Sequence, residues 1–470
     1  MISQLLCLAN KQIIDVLGII DNNAKGVAFI VDDNQKLIGV ISDGDIRRHL
    51  LLGGNINESL RSLIKPDFVY ARREEAYNEM FKKIDEKIRV FPIVDEDFKV
   101  IDYFEYKTGI NIPISIPDLS GKEFDYLLDA FSSTWISSRG KYIDAFEREF
   151  AVFCECNSGI AVSNGTAALH LALVALGIGE GDEVVVPDMT FAATINAVLH
   201  ARAIPVIVDI EKDSWCIDPR EIEKAITPKT KAIIPVHLFG QPCDMAAIMN
   251  IANRYNLYVI EDCAQAHGAR YNGKKVGSFG NIGCFSFFGN KVITTGEGGM
   301  CVTNDSHLDG RLRLLRDHGM SRTKKYWHEC IGYNYRMTNL QAAIGLAQLE
   351  RVESILKKRS KIESDYRDYF AGNQSIEFQR NDINLTEKIT WLVCILVDLK
   401  KRDFIIEKLK GYGIDIRPFF YSLSSMPIYN QYKFSSRNSE EVSQRGINFP
   451  TNYMVTESIL SDIGKLLSVN

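Results

Sequence analysis

Ser286-Phe-Phe-Gly-Asn-Lys-Val-Ile-Thr-Thr-Gly-Glu-Gly-Gly299 sets a single lysine, Lys291, between an apolar aromatic run and a glycine-rich turn. A lysine in that setting is a candidate for desolvation. Desolvation keeps part of it unprotonated, as a Schiff-base nucleophile requires. Ser286 stands close enough in the chain to share one small site. The same stretch also reads as a buried strand followed by a turn with a surface lysine. What surrounds it in the fold decides between the two.

Upstream, apolar runs alternate with helical stretches. Ile160-Ala-Val-Ser163, Glu183-Val-Val-Val-Pro187, Pro205-Val-Ile-Val-Asp209, Ala232-Ile-Ile-Pro-Val236 and Leu257-Tyr-Val-Ile-Glu-Asp262 read as strands. Thr166–Leu176 and Ala192–Ala201 read as helices. Continuous apolar strands between helices predict an α/β fold with a mostly parallel sheet covered on both faces. Ligands of such sheets bind beyond the carboxyl ends of the strands.

Candidate groups sit at those ends. Ser163-Asn-Gly-Thr-Ala167 joins a strand to a helix. There the Thr166 and Ala167 amides suit a phosphate, or simply belong to a helix cap. Glu261-Asp262 follows a strand, and Asp262 could pair with a protonated ring nitrogen or cap a helix. Gln265 and His267 follow within about one turn. With Lys291 and Ser286, these are the parts that pyridoxal phosphate needs. Asp262 would keep the pyridine nitrogen protonated. Lys291 would hold the aldehyde as an imine and move the proton.

Ser163-Asn-Gly-Thr-Ala-Ala-Leu-His-Leu-Ala172, Glu261-Asp-Cys-Ala-Gln-Ala-His-Gly268, Phe285 to Gly299 and Gly332-Tyr-Asn-Tyr-Arg-Met-Thr-Asn339 together resemble the DegT family of sugar-nucleotide aminotransferases. The resemblance spans residues 113 to 470. It implies the type I aminotransferase fold, with a smaller C-terminal α+β domain. Lys291 and Asp262 would be catalytic. Thr166, Ala167 and Ser286 would hold the phosphate, Phe191 would stack on the ring, and Gln265 would meet the ring hydroxyl. Asn334 would reach the phosphate of a second subunit, which implies a homodimer or higher oligomer with shared sites. No metal is expected.

Ser133-Thr-Trp-Ile-Ser-Ser-Arg-Gly140, Phe287 to Lys291 and Tyr326-Trp-His-Glu-Cys-Ile-Gly-Tyr-Asn-Tyr-Arg336 resemble the branch of that family acting on GDP-4-keto-6-deoxymannose. The implied reaction moves an amino group from glutamate to C4 of a 4-keto-6-deoxy sugar nucleotide, for surface polysaccharide synthesis. A UDP-linked sugar is the alternative. Trp135, Tyr326, His328 and Arg417 are the candidate substrate residues. Ser424 stands where the family usually has a histidine near the sugar, which leaves the exact sugar open. Relatives with histidine in place of the lysine act as dehydratases, and Lys291 argues against that. A non-catalytic regulator would not need the lysine, the aspartate and the phosphate loop together.

Residues 1 to 110 read differently. Gly26-Val-Ala-Phe-Ile-Val-Asp-Asp33 and Asn34-Gln-Lys-Leu-Ile-Gly-Val-Ile-Ser42 read as strands, and Asp43-Gly-Asp-Ile-Arg-Arg-His-Leu50 opens a helix capped by Asp43 or Asp45. Val90-Phe-Pro-Ile-Val-Asp-Glu-Asp-Phe-Lys-Val-Ile-Asp-Tyr103 repeats the strand, acidic turn, strand pattern. The repeat resembles the tandem cystathionine-β-synthase (CBS) module, an α+β domain that often binds adenosine nucleotides. Gly39, Ser42 and Asp45 carry its nucleotide pattern. Asp102-Tyr-Phe-Glu105, the matching place in the second copy, departs from it. Either one adenine nucleotide site or a purely structural role in assembly follows.

Asn111-Ile-Pro-Ile-Ser-Ile-Pro-Asp118 reads as a stiff linker. Gly121–Phe131 then reads as an amphipathic helix, apolar at Phe124, Leu127, Leu128 and Phe131. Past Leu340 a helix runs through Leu349 to Lys358, and Thr390–Val397 is an apolar strand. The domains expected are 1–110 (CBS pair), 111–340 (cofactor-binding) and 341–470 (small C-terminal).

Composition bounds the rest. The 470 residues carry a net charge of -5, which leaves no footprint for nucleic acid. No apolar run reaches the ~20 residues of a membrane helix, and the N-terminus is a poor secretory signal. The ten cysteines lack metal-ligand or redox spacing. A cytoplasmic enzyme with reduced thiols is expected.

Overall fold

A computed structural model describes residues 2–65, 67–75, 80, 83, 88–105, 112–380, 385–432 and 437–467. The chain divides into two compact units. One is Met1–Gly109 with Gly411–Gly413, and the other is Ile110–Lys410 with Ile414–Asn470. The domain joint expected at 110–111 lies outside the described residues.

The smaller unit is an internal repeat. Strands β1 (Leu6–Leu8), β2 (Val27–Val31) and β3 (Leu37–Ser42) form one sheet, with helices α1 (Ile13–Asn23) and α2 (Asp43–Leu51). Strands β4 (Ala71–Arg72), β5 (Val90–Val94) and β6 (Val100–Glu105) form another. In each sheet the first pair is parallel and the second antiparallel, and the antiparallel pair shifts register at the same place, Ile30/Val31 and Ile93/Val94. Phe29, Leu37, Val90 and Val94 join the two copies in one apolar cluster.

The larger unit opens with α3 (Glu123–Ser132) and α4 (Lys141–Phe153). Then follow β7 (Ser158–Val162), α5 (Gly165–Ala175), β8 (Glu183–Pro187), α6 (Ala193–His200), β9 (Ile204–Val208), α7 (Pro219–Ala225), β10 (Thr230–Ile233), α8 (Met245–Tyr255), β11 (Tyr258–Asp262), β12 (Ile282–Ser286), β13 (Gly299–Thr303) and α9 (Ser306–Arg316). The seven strands order as β7-β13-β12-β11-β10-β8-β9, and only β13 runs against its neighbours. β13 is absent from the sequence expectations, because it directly follows the glycine run.

Along β8, Val184 and Val186 pack on one face with Ala168, Leu171 and Ile195. Val185 packs on the other with Met245 and Ile248. Both faces are therefore covered, which is why these strands are apolar throughout.

Helices α10 (Asn339–Leu349) and α11 (Val352–Tyr369) replace the single helix expected from Leu340 to Lys358. The break falls at Glu350–Arg351, where Arg351 is drawn to Asp118 and Glu123. A small antiparallel sheet follows, in the order β14 (Glu377–Phe378), β15 (Val393–Leu396), β17 (Gly446–Phe449), β16 (Arg417–Pro418).

The apolar stripe of α3 is turned outward. Phe124 is 71% exposed and Phe131 64%, while Glu123 and Ala130 are buried. Periodicity reported the amphipathic stripe correctly but not what covers it.

A buried carboxylate clamps the β7 edge. Glu147 on α4 pairs with Arg313 and Arg316 of α9 and accepts the Ala161 N–H of β7 at 2.9 Å. Removing it takes away the carboxylate that Arg316 pairs with and leaves the largely buried Arg313 with Asp309 alone. Glu147→Ala should cost about 3–5 kcal/mol, read as a lower urea midpoint by near-UV circular dichroism. A loss below ~1 kcal/mol would mean that solvent already screens these pairs.

Candidate active site

Six of the seven strands deliver their carboxyl ends to one side of the sheet, and a cavity of about 690 Å³ opens there. Its volume is that of a small-ligand site. Lys291, Asp262, Gln265, Thr166, Ala167, Phe191, Ser286 and Arg417 all line it.

Lys291 hangs in the turn after β12, held by its N–H to the Phe288 carbonyl at 2.9 Å. Burial lowers its pKa from 10.5 to about 8, and Asp262 opposes that shift only in part. Burial pushes the Asp262 carboxyl up, while the Thr194 hydroxyl, 2.8 Å away, the Ala264 N–H and the Lys291 charge pull it down. Thr190 bonds Thr194 at 2.9 Å, so this carboxylate stands at the end of a hydroxyl relay.

The α5 N-terminus meets β12 and β13 closely. A Cβ on Gly165 would come within 2.8 Å of Ser286, and one on Gly299 within 2.5 Å of the Asn164 carbonyl. Asn164 caps the helix by accepting the Ala167 N–H at 2.8 Å. The Ala167 amide therefore has a partner already. The first-turn N–H groups of Gly165 and Thr166 have no intrahelical acceptor, and both residues line the cavity at the positive end of the helix dipole.

Gln265 accepts the Phe239 N–H at 2.8 Å, which leaves its NH₂ end for a ligand. Phe191 is 58% exposed and lies 5.7 Å from the Phe420 ring. Such an arrangement can hold a phosphorylated aromatic ring, with an acid at one end and an amine beside it.

Residues 117–467 match the DegT/DnrJ/EryC1/StrS aminotransferase family, and residues 5–52 match the CBS domain. The chain belongs to the DegT/DnrJ/EryC1/StrS aminotransferase family. It is 46% identical over 341 residues to the GDP-perosamine synthase of Escherichia coli O157:H7, covering 72% of this chain and 93% of that one. It is 45% identical over 364 residues to the GDP-perosamine synthase of Caulobacter vibrioides, covering 76% and 96%. Among solved structures it resembles Spr1654 of Streptococcus pneumoniae in its PLP form, with TM-score 0.72, 29% identity, and 76% and 98% coverage.

This aminotransferase uses pyridoxal 5'-phosphate. The residues present fit that group. The cradle at Gly165 and Gly299 has no room for a side chain, and the buried amine and carboxylate share one cavity.

Other sequence candidates lie elsewhere. Trp135, Tyr326, His328 and Asn334 are exposed and do not line this chain's cavity. Asn334 accepts the Arg336 Nε–H at 3.1 Å, and His328 Nδ1 meets the His318 carbonyl. Arg417 lines the cavity and also pairs with Asp415 at 3.0 Å.

Ser424 is buried against Asp188. Its N–H and hydroxyl bond the two Asp188 oxygens at 2.7 and 2.8 Å. It ties the 419–424 loop to the end of β8.

In the smaller unit, Ser42 caps α2 and Asp45 is its third residue, so the pair forms a capping box with itself. Asp45 also pairs with Arg48 and Lys65, and its carboxyl is held well below the usual range.

Sequence reasoning missed Trp391, His170 and Tyr335, which also line the cavity. The Trp391 ring lies 3.9 Å from Lys291 Nζ. Its indole N–H, which must find an acceptor when buried, was the available signal.

His237, Glu261 and Cys263 cluster closely enough for a metal ion. The His237 and Glu261 atoms are already committed. His237 Nδ1 accepts the Cys243 N–H, so Nε2 donates to Glu261. Glu261 also accepts the Gly277, Phe279 and Gly280 N–H groups. The cluster anchors that turn.

The Lys291 shift has a definite sign. Folded Lys291 loses its proton as pH rises through about 8, whereas the unfolded chain keeps it to about 10.5. The group therefore adds stability between those values as pH rises. In cofactor-free protein, acetylation of Lys291 should reach half its maximal rate near pH 8, followed by peptide mass spectrometry. A midpoint at the ordinary lysine value would show the amine to be solvated.

Proposed function

We propose that the chain transfers the amino group of glutamate to C4 of a 4-keto-6-deoxy sugar nucleotide, GDP-4-keto-6-deoxymannose, yielding GDP-perosamine and 2-oxoglutarate. The convergence of Lys291, Asp262 and the α5 cradle on one cavity carries the amino-transfer part. Similarity to two relatives named GDP-perosamine synthase supports the choice of sugar nucleotide. Surface polysaccharide of the O-antigen type, made in the cytoplasm, is the setting this product suits.

When bound, pyridoxal phosphate supplies an aldehyde that exchanges for an amine and a ring that takes up electrons as a C–H bond breaks. The chain's residues divide the remaining work. Lys291 Nζ, whose pKa lowered to about 8 leaves a minor neutral fraction near neutral pH, takes the proton and returns it. Asp262 keeps positive charge at the ring nitrogen, which favours electron uptake. Gly165, Thr166 and Ser286 hold the phosphate. Phe191 covers a ring face, and Gln265 meets the ring hydroxyl.

We read residues 111–340 as the cofactor-binding domain and 341–470 as the small domain. The outward face of α3, with Phe124, Leu128 and Phe131 exposed, supports a homodimer. In it Asn334, Trp135, Tyr326 and His328 would serve the neighbouring site. The Ser42–Asp45 capping box supports an architectural role for those residues over an adenine nucleotide contact.

The assay offers glutamate with the GDP-linked sugar or a UDP-linked 4-keto-6-deoxy sugar, products identified by mass. Turnover of the GDP sugar is expected, with a loss of at least ~10²-fold in Lys291→Ala. Turnover of the UDP sugar alone would keep the chemistry and overturn the acceptor. The dimer is tested by sedimentation: Phe124→Asp should shift the protein toward monomer, and an unchanged dimer would exclude that face.

A further inference from the structure

Trp391 closes the cavity wall beside Lys291, yet the proposed chemistry leaves it unused. It is 4% exposed, and its indole N–H donates to the Asn290 carbonyl at 2.9 Å. It precedes β15, so no strand ladder fixes it. A neighbouring anchor is the Thr390 hydroxyl, which donates to Glu363 at 2.6 Å.

The second anchor is Arg359 on α11. Its Nη1 donates to the Trp391 carbonyl at 2.8 Å, and its Nη2 to the Ser115 hydroxyl at 2.9 Å. Arg359 is 6% exposed, and both these acceptors are neutral. Burial lowers its pKa only to about 10, so it stays charged at neutral pH. A buried guanidinium without a carboxylate partner is costly to keep, and an apolar residue of similar volume is often no worse for stability. Among the described residues no carboxylate pairs with it, and its two hydrogen bonds tie the Trp391 carbonyl to the Ser115 hydroxyl.

Ser115 lies in a segment that is itself fixed. Ile112 bridges Ile414 and accepts the Asp415 N–H at 2.8 Å, and Ile114 accepts the Thr451 N–H at 2.8 Å. Asp415 Oδ2 takes the Ile114 N–H at 3.3 Å and also pairs with Arg417, which lines the cavity. The segment expected to be a plain linker thus reaches the cavity wall at two places.

We propose that Ser115 and Arg359 are positioning residues for Lys291, holding the Trp391 backbone so that the ring keeps water from the amine. This rests on Lys291 being the reactive amine of the proposed function. The ring acts on the amine in two opposing ways. Its face favours the ammonium, and its bulk excludes the water that would solvate it. Burial lowers the Lys291 pKa, and this ring, 3.9 Å from Nζ, is part of what buries it. A loosened ring admits water and returns the amine toward ordinary lysine behaviour.

The test uses the full chain, freed of cofactor, as Ser115→Ala, Arg359→Met and Arg359→Lys. The acetylation midpoint of Lys291 is read against pH, and thermal melting checks the fold. Arg359→Met should move the midpoint up by about one pH unit, and Ser115→Ala by less. Arg359→Lys, which keeps a charged donor, should restore most of the wild-type value. An unchanged midpoint in folded Ser115→Ala overturns the proposal, whatever Arg359→Met does. The readout does not require cofactor. If the cofactor proves to attach to another lysine, the proposed function fails while this result still reports on the wall around Lys291.

Discussion

Keeping an amine out of water without neutralising it is the constraint on which the larger unit turns. Charging Lys291 in its cavity is penalised by desolvation, and the charge offsetting it is a carboxylate that is buried too. Neither group could sit there alone without a cost of several kcal/mol. Held in one cavity, each limits the shift of the other. Asp262 is fixed by its position at the end of β11 and by the Thr190–Thr194 hydroxyls. Lys291 is fixed by the turn that β12 feeds.

The sheet makes that pairing possible. β11 and β12 are adjacent and parallel, so the residues that end them arrive side by side. β13 returns antiparallel beside β12 and brings Gly299 against the Asn164 carbonyl. The α5 N-terminus is therefore a junction of three chain segments that only small residues allow. Amine, acid and cradle follow from strand order, and the helices on both faces supply the dryness.

Much of this was legible before any coordinates. Apolar runs bounded by helices gave the parallel sheet, because strands buried on both faces cannot alternate. Lys291 stood out as one charge in an aromatic and glycine setting. What escaped depends on partners distant in the chain. The α3 stripe was read, but periodicity does not say whether a stripe meets the core or another molecule. The break at Glu350–Arg351 is set by Asp118 and Glu123, over two hundred residues away in sequence. Ser424 was noted for standing where the family usually has a histidine, and the bond of its hydroxyl to Asp188 could not be read from that. Ser42 and Asp45 fitted a nucleotide pattern and also a capping box, and the spacing is the same for both. Trp391 fell inside the apolar strand read over Thr390–Val397, and its place over Lys291 is set by Arg359 and Asn290.

The central claim is that Lys291 is the lysine that carries the cofactor. The direct measurement is reduction of the purified, cofactor-loaded protein with borohydride, followed by peptide mapping for the pyridoxyl group. The account predicts the label on Lys291 alone. A label on any other lysine, or none on a protein that binds the cofactor, would contradict it.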